Sequence, residues 1–402
     1  MTILIMDWPA FGSRTVKETF GRLGHKVEIF DFPQGSAQAD IGEELGMKIA
    51  SEILRTGADI VFSFNYFPVI AAAVHACRKK YISWVYDSPA AFLYSMTVFF
   101  EENYIFHFDS HEVKRMRNDG IEQVYYLPLA ANTEEYDKMT ADEAAIKRYD
   151  TDIAMIGSMY KEKYSYFEKY TKFDEYTAGY LAALTKAQEK IAGVNFLEES
   201  LTAGIMERIL KKVPLSDNKG TGYNKASWDF ANYYLAMAVT SNERKHILEA
   251  LAEKYRVALY STDRSGDIPG VGYRGTLDYY TEAPYAIKCA KINLNVTLRS
   301  IQTGIPLRVM DIMGCGGFVL SNYQEDMCNE FVPGEDFVYY ESTEHAAELA
   351  GYYLEHEEER LRIAANGYAK VKEKHGFEGK CREMINIVMR ASEEVENGRR
   401  FS

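Results

Sequence analysis

The sequence is short of the residues and segments that define several classes of protein. Only five of its 402 residues are cysteines, and no two stand at Cys-x-x-Cys spacing, which argues against a structural zinc site and favours a reducing compartment. The 10 prolines and 28 glycines are too few for a collagen-like or disordered chain. No run approaches the roughly 18 uninterrupted apolar residues of a membrane span, and the start lacks a charged segment before a long apolar core. We therefore expect a cytoplasmic protein with no membrane span.

Positive charge is also scarce. The 46 basic residues are outnumbered by 59 acidic residues, which gives a net charge of −13, so the surface field repels nucleic acid and anionic lipid. We expect no nucleic-acid partner, and a few local groups must hold any phosphate. A chain of 402 residues with 47% hydrophobic residues can form two or three globular domains, each with its own core.

Residues 1–150 repeat one pattern, in which a short apolar run is followed by a turn and then by a helical period. The runs cover residues 2–6, 27–30, 59–64, 81–86, 104–108 and 124–127. Near-continuous apolar runs separated by helices are typical of strands that are buried on both faces of a parallel sheet. We therefore predict a doubly wound, Rossmann-like α/β domain over residues 1–150.

The same pattern restarts after the charged residues 140–150. The second set of strand candidates covers residues 152–157, 256–261, 292–297, 317–322 and 337–342. Residues 161–255 are too many for one crossover helix, so we predict a helical insertion there. The interpretation is a second Rossmann-like domain over 151–378, followed by a terminal helix over 379–402. Two such domains in tandem bind ligands at the carboxyl ends of their strands.

Residues 291–335 hold the densest set of candidate ligand-binding groups. Pro306 fits the first turn of a helix whose amino end can receive an anion. Arg308 lies in that turn, and Asp311, three residues later, shares its face. The segment also contributes Arg299, Thr303, Gly304, Gly316 and Gly317. The glycines suit packing and turning as well as the close approach of a ligand, because all of these need the absent Cβ.

The string LRVMDIMGCGGFVLSN, with FVPGEDFVYYES and the helical segments after it, resembles the carboxyl-terminal domain of CgeB-like glycosyltransferases, a group with the GT-B fold. The positions that carry this pattern are Arg308, Asp311, Gly316, Gly317, Phe331, Gly334, Glu335, Ile363, Ala364, Gly367, His375 and Phe377. In the first half, SFNYFP, SWVYDSP and YYLPLAAN are similar to the half that accompanies this domain in one bacterial subgroup. The resemblance therefore covers nearly the whole chain.

The resemblance implies transfer of a hexose-like sugar from a nucleotide sugar to an acceptor, with no metal and no other cofactor. It implies that Asp311 binds the ribose hydroxyls, although related enzymes usually carry Glu there. The segment 157–164 is expected at the donor phosphates and the segment 273–279 near the base. The further donor-binding residues that it implies are Gly157, Ser158, Tyr160 and Tyr273. It also implies that the first domain serves the acceptor and that the terminal helix returns to that domain.

Acidic residues follow three strand candidates of the first domain, where side chains reach the ligand edge of the sheet. Asp7, Asp87 and Asp109 are each candidates to take a proton from an acceptor hydroxyl. Each of them also suits a helix cap or a turn. His107, which alternates within a strand candidate, is either a catalytic group or a core histidine. Asp87 is the first candidate for the catalytic base.

Two other functions fit the same residues. A nucleotide-sugar epimerase or hydrolase on the same fold would act on the donor without an acceptor. A non-catalytic protein would bind a nucleotide sugar or a glycan without chemistry. Donor turnover measured with and without acceptors separates these functions. The donor base, the sugar, the acceptor and the stereochemical course stay open.

Overall fold

The computed structural model describes residues 1–33, 42–161, 173–217, 222–262 and 268–400, with side chains described as far as residue 391. The chain divides into two compact units. The first contains Met1–Asn132, a short segment around Tyr223 and the chain from Lys374 onward, and the second contains the remainder. Each unit holds a six-stranded parallel sheet. Among the described residues, no helix is both long enough and apolar enough to cross a membrane.

The sheet of the first unit has the strand order β2-β1-β3-β4-β5-β6. Its strands are β1 Thr2–Asp7, β2 Lys26–Asp31, β3 Ile60–Phe64, β4 Lys80–Val85, β5 Asn103–His107 and β6 Val124–Tyr126. Strands β3 and β5 are buried at every residue, because the inner strands of a covered parallel sheet meet helices on both faces. The strand order reverses between β1 and β3, which is where ligands of such sheets bind.

Helices of the first unit lie between the apolar runs that form its strands. They are α1 Ser13–Arg22, α2 Glu43–Thr56, α3 Pro68–Cys77 and α4 Ser110–Asn118, with 3₁₀ turns at Ala91–Tyr94 and Met96–Phe99. Ile49 and Ile53, one turn apart on α2, are fully buried, as their spacing predicts. Gly57 then ends α2 in the left-handed region, with φ 65°, a conformation that glycine adopts without strain.

The end of the chain belongs to the first unit. The terminal helix, Phe377–Arg400, packs against α1, and the Ala131 N–H donates to the His375 carbonyl at 3.0 Å. The first segment of this unit ends at Asn132, earlier than the predicted boundary at 150. The reason is that residues 133–149 form helices that belong to the second unit. The roles assigned to the domains stay predictions.

The sheet of the second unit has the order β12-β11-β10-β7-β8-β9. Its strands are β7 Thr151–Ile156, β8 Val257–Tyr260, β9 Val271–Tyr273, β10 Ala290–Asn295, β11 Val319–Asn322 and β12 Val338–Tyr340. Here the order reverses between β7 and β10. Strand β9 was not predicted, because it is a three-residue edge strand with no fully buried residue. The other strands of this sheet overlap the predicted runs, with β7 and β10 beginning one and two residues earlier than predicted, and the two-sheet α/β class is confirmed.

The helices of the second unit include the predicted insertion. They are α5 Thr133–Lys138, α6 Glu143–Tyr149, α7 Glu175–Glu189, α8 Ala203–Leu210, α9 Ala226–Phe230, α10 Ala236–Ala252, α11 Ala283–Cys289, α12 Leu307–Gly314, α13 Glu325–Glu330, α14 Thr343–Glu355 and α15 Glu357–Lys374. Helices α7 to α10 fall within residues 161–255, and a π-helical turn joins α9 to α10. Apolar side chains of this insertion, with Leu197, Phe230 and Leu235 fully or almost fully buried, form a separate core.

Candidate functional site

The switch point of the second sheet brings two loops together. Strand β7 ends at Ile156 and is followed by Gly157, and β10 ends at Asn295 and leads to α12. Both loops leave the carboxyl edge of a parallel sheet at the point where strand order reverses, which is the usual ligand position in such sheets. The predicted residues Gly157, Ser158 and Tyr160 lie on the first loop. Residues 162–164 of the predicted phosphate segment lie outside the described residues.

Arg244 on α10 joins these two loops. It is 8% exposed, donates through Nε and Nη2 to the Val296 carbonyl, at 3.2 and 2.6 Å, and donates through Nη1 to the Ser158 carbonyl. Its guanidinium also lies 4.8 Å from the centre of the Tyr160 ring. A Cβ on Gly157 would come within 3.3 Å of Nη1, so the close approach of Arg244 explains this glycine.

Helix α12 begins at the same edge of the sheet. Pro306 is its N-cap, with an extended backbone, one position before the predicted first turn. Arg308 is partly exposed, and Nη1 lies 3.4 Å from Asp311 Oδ2. This is the hydrogen bond that Arg308 donates among the described residues, so most of its five N–H donors are available to a ligand. The first turn of α12 thus combines a cation with the positive end of a helix dipole.

Asp311 is buried under two tyrosines. It is 2% exposed, and the hydroxyls of Tyr136 and Tyr279 both donate to its Oδ1 at 2.8 Å. Burial raises the pKa of the Asp311 carboxyl, and the nearby Arg308 guanidinium and the two hydroxyls oppose that rise. A ribose hydroxyl can reach Oδ1 only if a tyrosine hydroxyl leaves it. Ribose binding by Asp311 stays a prediction, and it now requires a rearrangement.

Arg299 is held by another side chain. Its Nε donates to both carboxylate oxygens of Glu243, at 3.0 and 3.1 Å, and Nη2 also donates to Glu243. Its Nη1 donates to the Ile191 carbonyl at 3.2 Å. Burial raises the pKa of Glu243, and the charge of Arg299 opposes the rise. Arg299 therefore has fewer donors left for a phosphate than Arg308 has.

Amide side chains support the loop between β10 and α12. The Asn322 Oδ1 accepts from the Thr297 N–H at 2.7 Å, and the Gln324 Nε2 donates to the Gly304 carbonyl at 3.0 Å. The Thr303 hydroxyl donates to Asp326 at 3.1 Å. A small cleft of about 10 Å³, open to solvent, lies beside the loop and is lined in part by Thr297, Asn322 and Gln324. The residues described as lining this cleft do not include Thr303 or Gly304, so the role of these two residues as donor ligands stays a prediction.

Three of the predicted donor ligands, Gly316, Gly317 and Tyr273, make contacts within the protein that stabilise its fold. Gly316 has φ 76° and, with Gly317, closes the turn that ends α12. A Cβ on Gly317 would come within 2.8 Å of Asn293 Nδ2 and of an Ile287 methyl. Both glycines precede β11, at the amino edge of the sheet opposite the ligand edge, so the geometry favours the packing and turning alternative, and their role as donor ligands stays a prediction. The Tyr273 hydroxyl, at the end of β9, donates to the Ser261 carbonyl at 2.7 Å.

Two of the predicted catalytic carboxylates lie at the carboxyl edge of the first sheet. Asp7 accepts from the Ser13 hydroxyl and from Lys17 Nζ, both at 2.5 Å. Asp87 is exposed, and its Oδ2 accepts from Asn65 Nδ2 at 2.7 Å. The Asn65 Oδ1 in turn accepts the backbone N–H groups of Tyr86 and Asp87, at 3.0 and 3.2 Å. Asn65 thus fixes the carboxylate and the turn that carries it.

The other two predicted catalytic residues are buried. Asp109 is fully buried and caps α4 through a hydrogen bond from the His111 N–H. His107 is 1% exposed, and its Nδ1 accepts from the Asp109 N–H at 3.0 Å. Burial lowers the pKa of His107 to about 4. Burial removes the access that a general base needs, so the geometry favours the capping and core alternatives for this pair.

Sequence reasoning missed three residues of these edges. Tyr136 is 175 positions from its partner Asp311, and Arg244 stands in an ordinary helical pattern, so neither carries a local signal. Asn65 does carry one, because it is an asparagine directly after a strand with φ 56°, and asparagine is enriched in the left-handed region. Within the described parts of the chain, no group of three or more His, Cys, Asp or Glu side chains could hold a metal ion.

Comparisons with known proteins give a family match for part of the chain and similar folds for nearly all of it. Residues 244–386 match a family model described as glycosyl transferase-like. A Rickettsia africae glycosyltransferase is similar in structure with a TM-score of 0.59 at 10% identity, over 97% of this chain and 98% of that one. No curated protein matches the chain in sequence.

Two further solved structures are similar over nearly their whole length. Sucrose-phosphate synthase from Thermosynechococcus elongatus has a TM-score of 0.58 at 10% identity, over 98% of this chain and 100% of that one. Anabaena HepE in complex with UDP-glucose has a TM-score of 0.58 at 12% identity, over 97% and 100%. These likenesses show that the chain has the GT-B fold, as predicted.

Proposed function

We propose that this chain is a glycosyltransferase that moves a sugar from a nucleotide sugar to the hydroxyl of an acceptor, without a metal ion. The match of residues 244–386 to a glycosyl transferase-like family supports the reaction class. The CgeB-like bacterial subgroup and the cytoplasmic location stay predictions.

One observation carries the donor site: Arg308 stands in the first turn of α12, at the switch point of the second sheet, with most of its donors available. The protein as a whole is acidic, with a net charge of −13, and therefore repels a diphosphate. Local hydrogen-bond donors such as those of Arg308 are needed to bind it. The positive end of the α12 dipole adds to the attraction. We therefore assign the diphosphate to Arg308 and the start of α12.

The chemical step follows from this assignment. The bond between the anomeric carbon and the diphosphate oxygen breaks, and a bond from the acceptor oxygen to that carbon forms. The diphosphate leaves with the bonding electron pair, and Arg308 and the start of α12 stabilise its charge. The acceptor hydroxyl loses its proton to a base, for which Asp87 is the exposed candidate held by Asn65.

The comparisons support UDP-glucose as the first donor to test, because HepE has been solved in complex with it. Calorimetry with UDP and UDP-glucose tests the donor site, and we expect saturable binding of both. UDP release from UDP-glucose is then measured with and without a panel of glycosides and phenols. Release that depends on an acceptor supports a transferase, whereas acceptor-independent turnover or binding alone contradicts the proposal and favours the epimerase, hydrolase or binding alternatives.

A further inference from the structure

Aromatic rings gather at the switch point of the first sheet. Trp8 and Phe11 follow β1, Phe67 follows β3 and Tyr86 follows β4. We refer to these four residues as the aromatic cluster. Because β3 is the neighbour of both β1 and β4, the three carboxyl ends meet at one edge of the sheet, where ligands of such sheets bind.

The rings of the cluster contact one another in fixed geometry. The Trp8 and Tyr86 rings are stacked, with centroids 6.2 Å apart and planes 12° apart. Phe67 meets Trp8 edge-on at 5.9 Å, and Phe11 lies 6.5 Å from Tyr86. The indole N–H of Trp8 donates to the Phe64 carbonyl at 3.2 Å. The cluster is therefore a pre-formed surface rather than a set of independent side chains.

This surface is open to solvent, unlike the rings beneath it. Phe11 is 47% exposed, whereas Phe64 and Trp84 are 6% and 1% exposed, and Trp8 and Tyr86 are partly exposed. Apolar area left in water costs about 25 cal/mol per Å². Exposed aromatic area at the ligand edge of a sheet marks a surface that binds a partner with an apolar face.

Hydrogen-bond acceptors border the same surface. The exposed Asp87 follows Tyr86 directly and is held by Asn65, and Asp7 precedes Trp8. Asp7 is paired with Lys17, so the exposed Asp87 is the carboxylate of this border that disfavours an anionic ligand, and its oxygens accept hydrogen bonds from hydroxyl groups. The ligand that fits is neutral, with an apolar face for the rings and several hydroxyls along its rim. A pyranose ring has this form, whereas a simple phenol offers a single hydroxyl.

We propose that the aromatic cluster binds a sugar ring of the acceptor, so that the acceptor is a glycan or glycoside. This inference rests on the proposed function, since it names the acceptor of that reaction. The rings stack on the C–H face of the sugar, and Asp87 accepts a hydrogen bond from one of its hydroxyls.

The tryptophans allow a direct binding test without activity. Of the three, Trp84 and Trp228 are 1% and 8% exposed, so Trp8 is the one that a surface ligand contacts. In spectra of the ¹⁵N-labelled full chain, each indole N–H gives a signal, and Trp8→Phe assigns that of Trp8. The probes are methyl glycosides of glucose, galactose, mannose and N-acetylglucosamine, with phenol and 4-nitrophenol as the competing class. We expect at least one glycoside to shift the Trp8 signal saturably while the other two signals stay in place.

Matched variants test whether the cluster itself binds. Phe11→Ala is expected to weaken glycoside binding about fivefold or more, whereas Phe99→Ala, at a ring that is 43% exposed outside the cluster, should leave it unchanged. Shifts with phenols alone, no shift with any glycoside, or equal weakening by both variants would overturn the inference. UDP binding is measured separately. If UDP binds while no glycoside does, only this inference fails, and if glycosides bind while UDP does not, the proposed function fails.

Discussion

The carboxyl edges of the two sheets present different chemistry. The edge of the first sheet carries the aromatic cluster with Asp7 and Asp87 beside it. The edge of the second sheet carries Arg308 and the start of α12, with amide side chains supporting the adjoining loop. Two sheets of the same α/β architecture thus differ at their ligand edges: the edge of the first sheet is aromatic and carries an exposed carboxylate, and the edge of the second sheet is cationic.

The difference indicates which substrate each edge can hold. A diphosphate is repelled by the exposed Asp87 of the first edge, where Asp7 is paired with Lys17, and it is attracted by the second edge. A neutral acceptor that must lose a proton is suited to the first edge, where an exposed carboxylate is available as a base. Substitutions at each edge should therefore affect different steps of one reaction, and the separation of those effects tests the comparison.

The largest effect is expected at the first edge. Asp87→Asn should lower the transfer rate by about 10²–10⁴-fold, the usual contribution of a positioned general base, and should leave UDP affinity unchanged. Initial rates and calorimetry on the same protein measure the two quantities. Asp59→Asn is the control, because Asp59 accepts a backbone hydrogen bond at the opposite edge of this sheet. Near wild-type turnover by folded Asp87→Asn would remove Asp87 from catalysis.

Asn65→Gly sharpens the same test. Glycine keeps the φ of 56° without strain, while the hydrogen bonds to Asp87 and its turn are lost. We expect a rate about tenfold lower or more, with UDP affinity unchanged, since the carboxylate loses its fixed position. A wild-type rate in this variant would show that Asn65 does not position Asp87 for the reaction.

At the second edge, Arg308→Ala should weaken UDP binding by about 1.5–3 kcal/mol, the range for hydrogen bonds to a charged group. Calorimetry measures the loss. Arg362→Ala on α15 is the matched control, because Arg362 is an exposed arginine of the same unit, 4.0 Å from Glu359. Equal affinity in the Arg308→Ala and Arg362→Ala proteins would contradict the placement of the diphosphate at α12.

A smaller effect is expected when one of the two tyrosine hydroxyls that donate to Asp311 is removed. Tyr136→Phe removes one of the two tyrosine hydrogen bonds to the buried Asp311 carboxylate and should lower the free energy of unfolding by about 1.5–3 kcal/mol, measured by urea denaturation. If ribose replaces this hydroxyl on binding, the variant should favour UDP over 2′,3′-dideoxy-UDP at least as strongly as the wild type does. Loss of that preference in Tyr136→Phe would mean that Asp311 acts only through the tyrosines.

The smallest effects are changes of stability with pH. The pKa of His107 is lowered to about 4 from 6.5, so the unfolded chain binds more protons between these values, and stability falls as the pH drops from 6.5 to about 4. The pKa of Asp311 is raised above 3.8, so its contribution has the opposite sign, and stability falls as the pH rises through its folded pKa. Thermal unfolding from pH 4 to 7 should therefore show less acid destabilisation for His107→Gln than for the wild type. Identical pH profiles would contradict the buried neutral histidine.

The fold could be predicted from the sequence because burial on both faces leaves a local pattern. Strands such as β3 and β8 appear in the sequence as nearly continuous apolar runs, because their residues are buried on both faces of the sheet. Strand β9 was missed because none of its three residues is buried, so no apolar run marks it in the sequence. The strand order, and with it the switch point at each sheet, could not be predicted, because it depends on pairing between segments far apart in sequence.

The sequence by itself determined two α/β sheets, a helical insertion, an acidic surface and a short list of charged residues that could act at the ends of strands. Arg308 could be singled out because its place after Pro306 is a local signal. Only the tertiary structure decided that Arg299 is paired with Glu243 and that Asp311 is covered by Tyr136. It also decided that Gly316 and Gly317 lie at the edge of the sheet opposite the ligand edge. The physical reason is that the exposure of a side chain, and the hydrogen-bond donors it has left, depend on partners that are distant in sequence. The two tyrosines that cover Asp311 lie 32 and 175 positions away from it. A local sequence pattern carries no information about such partners.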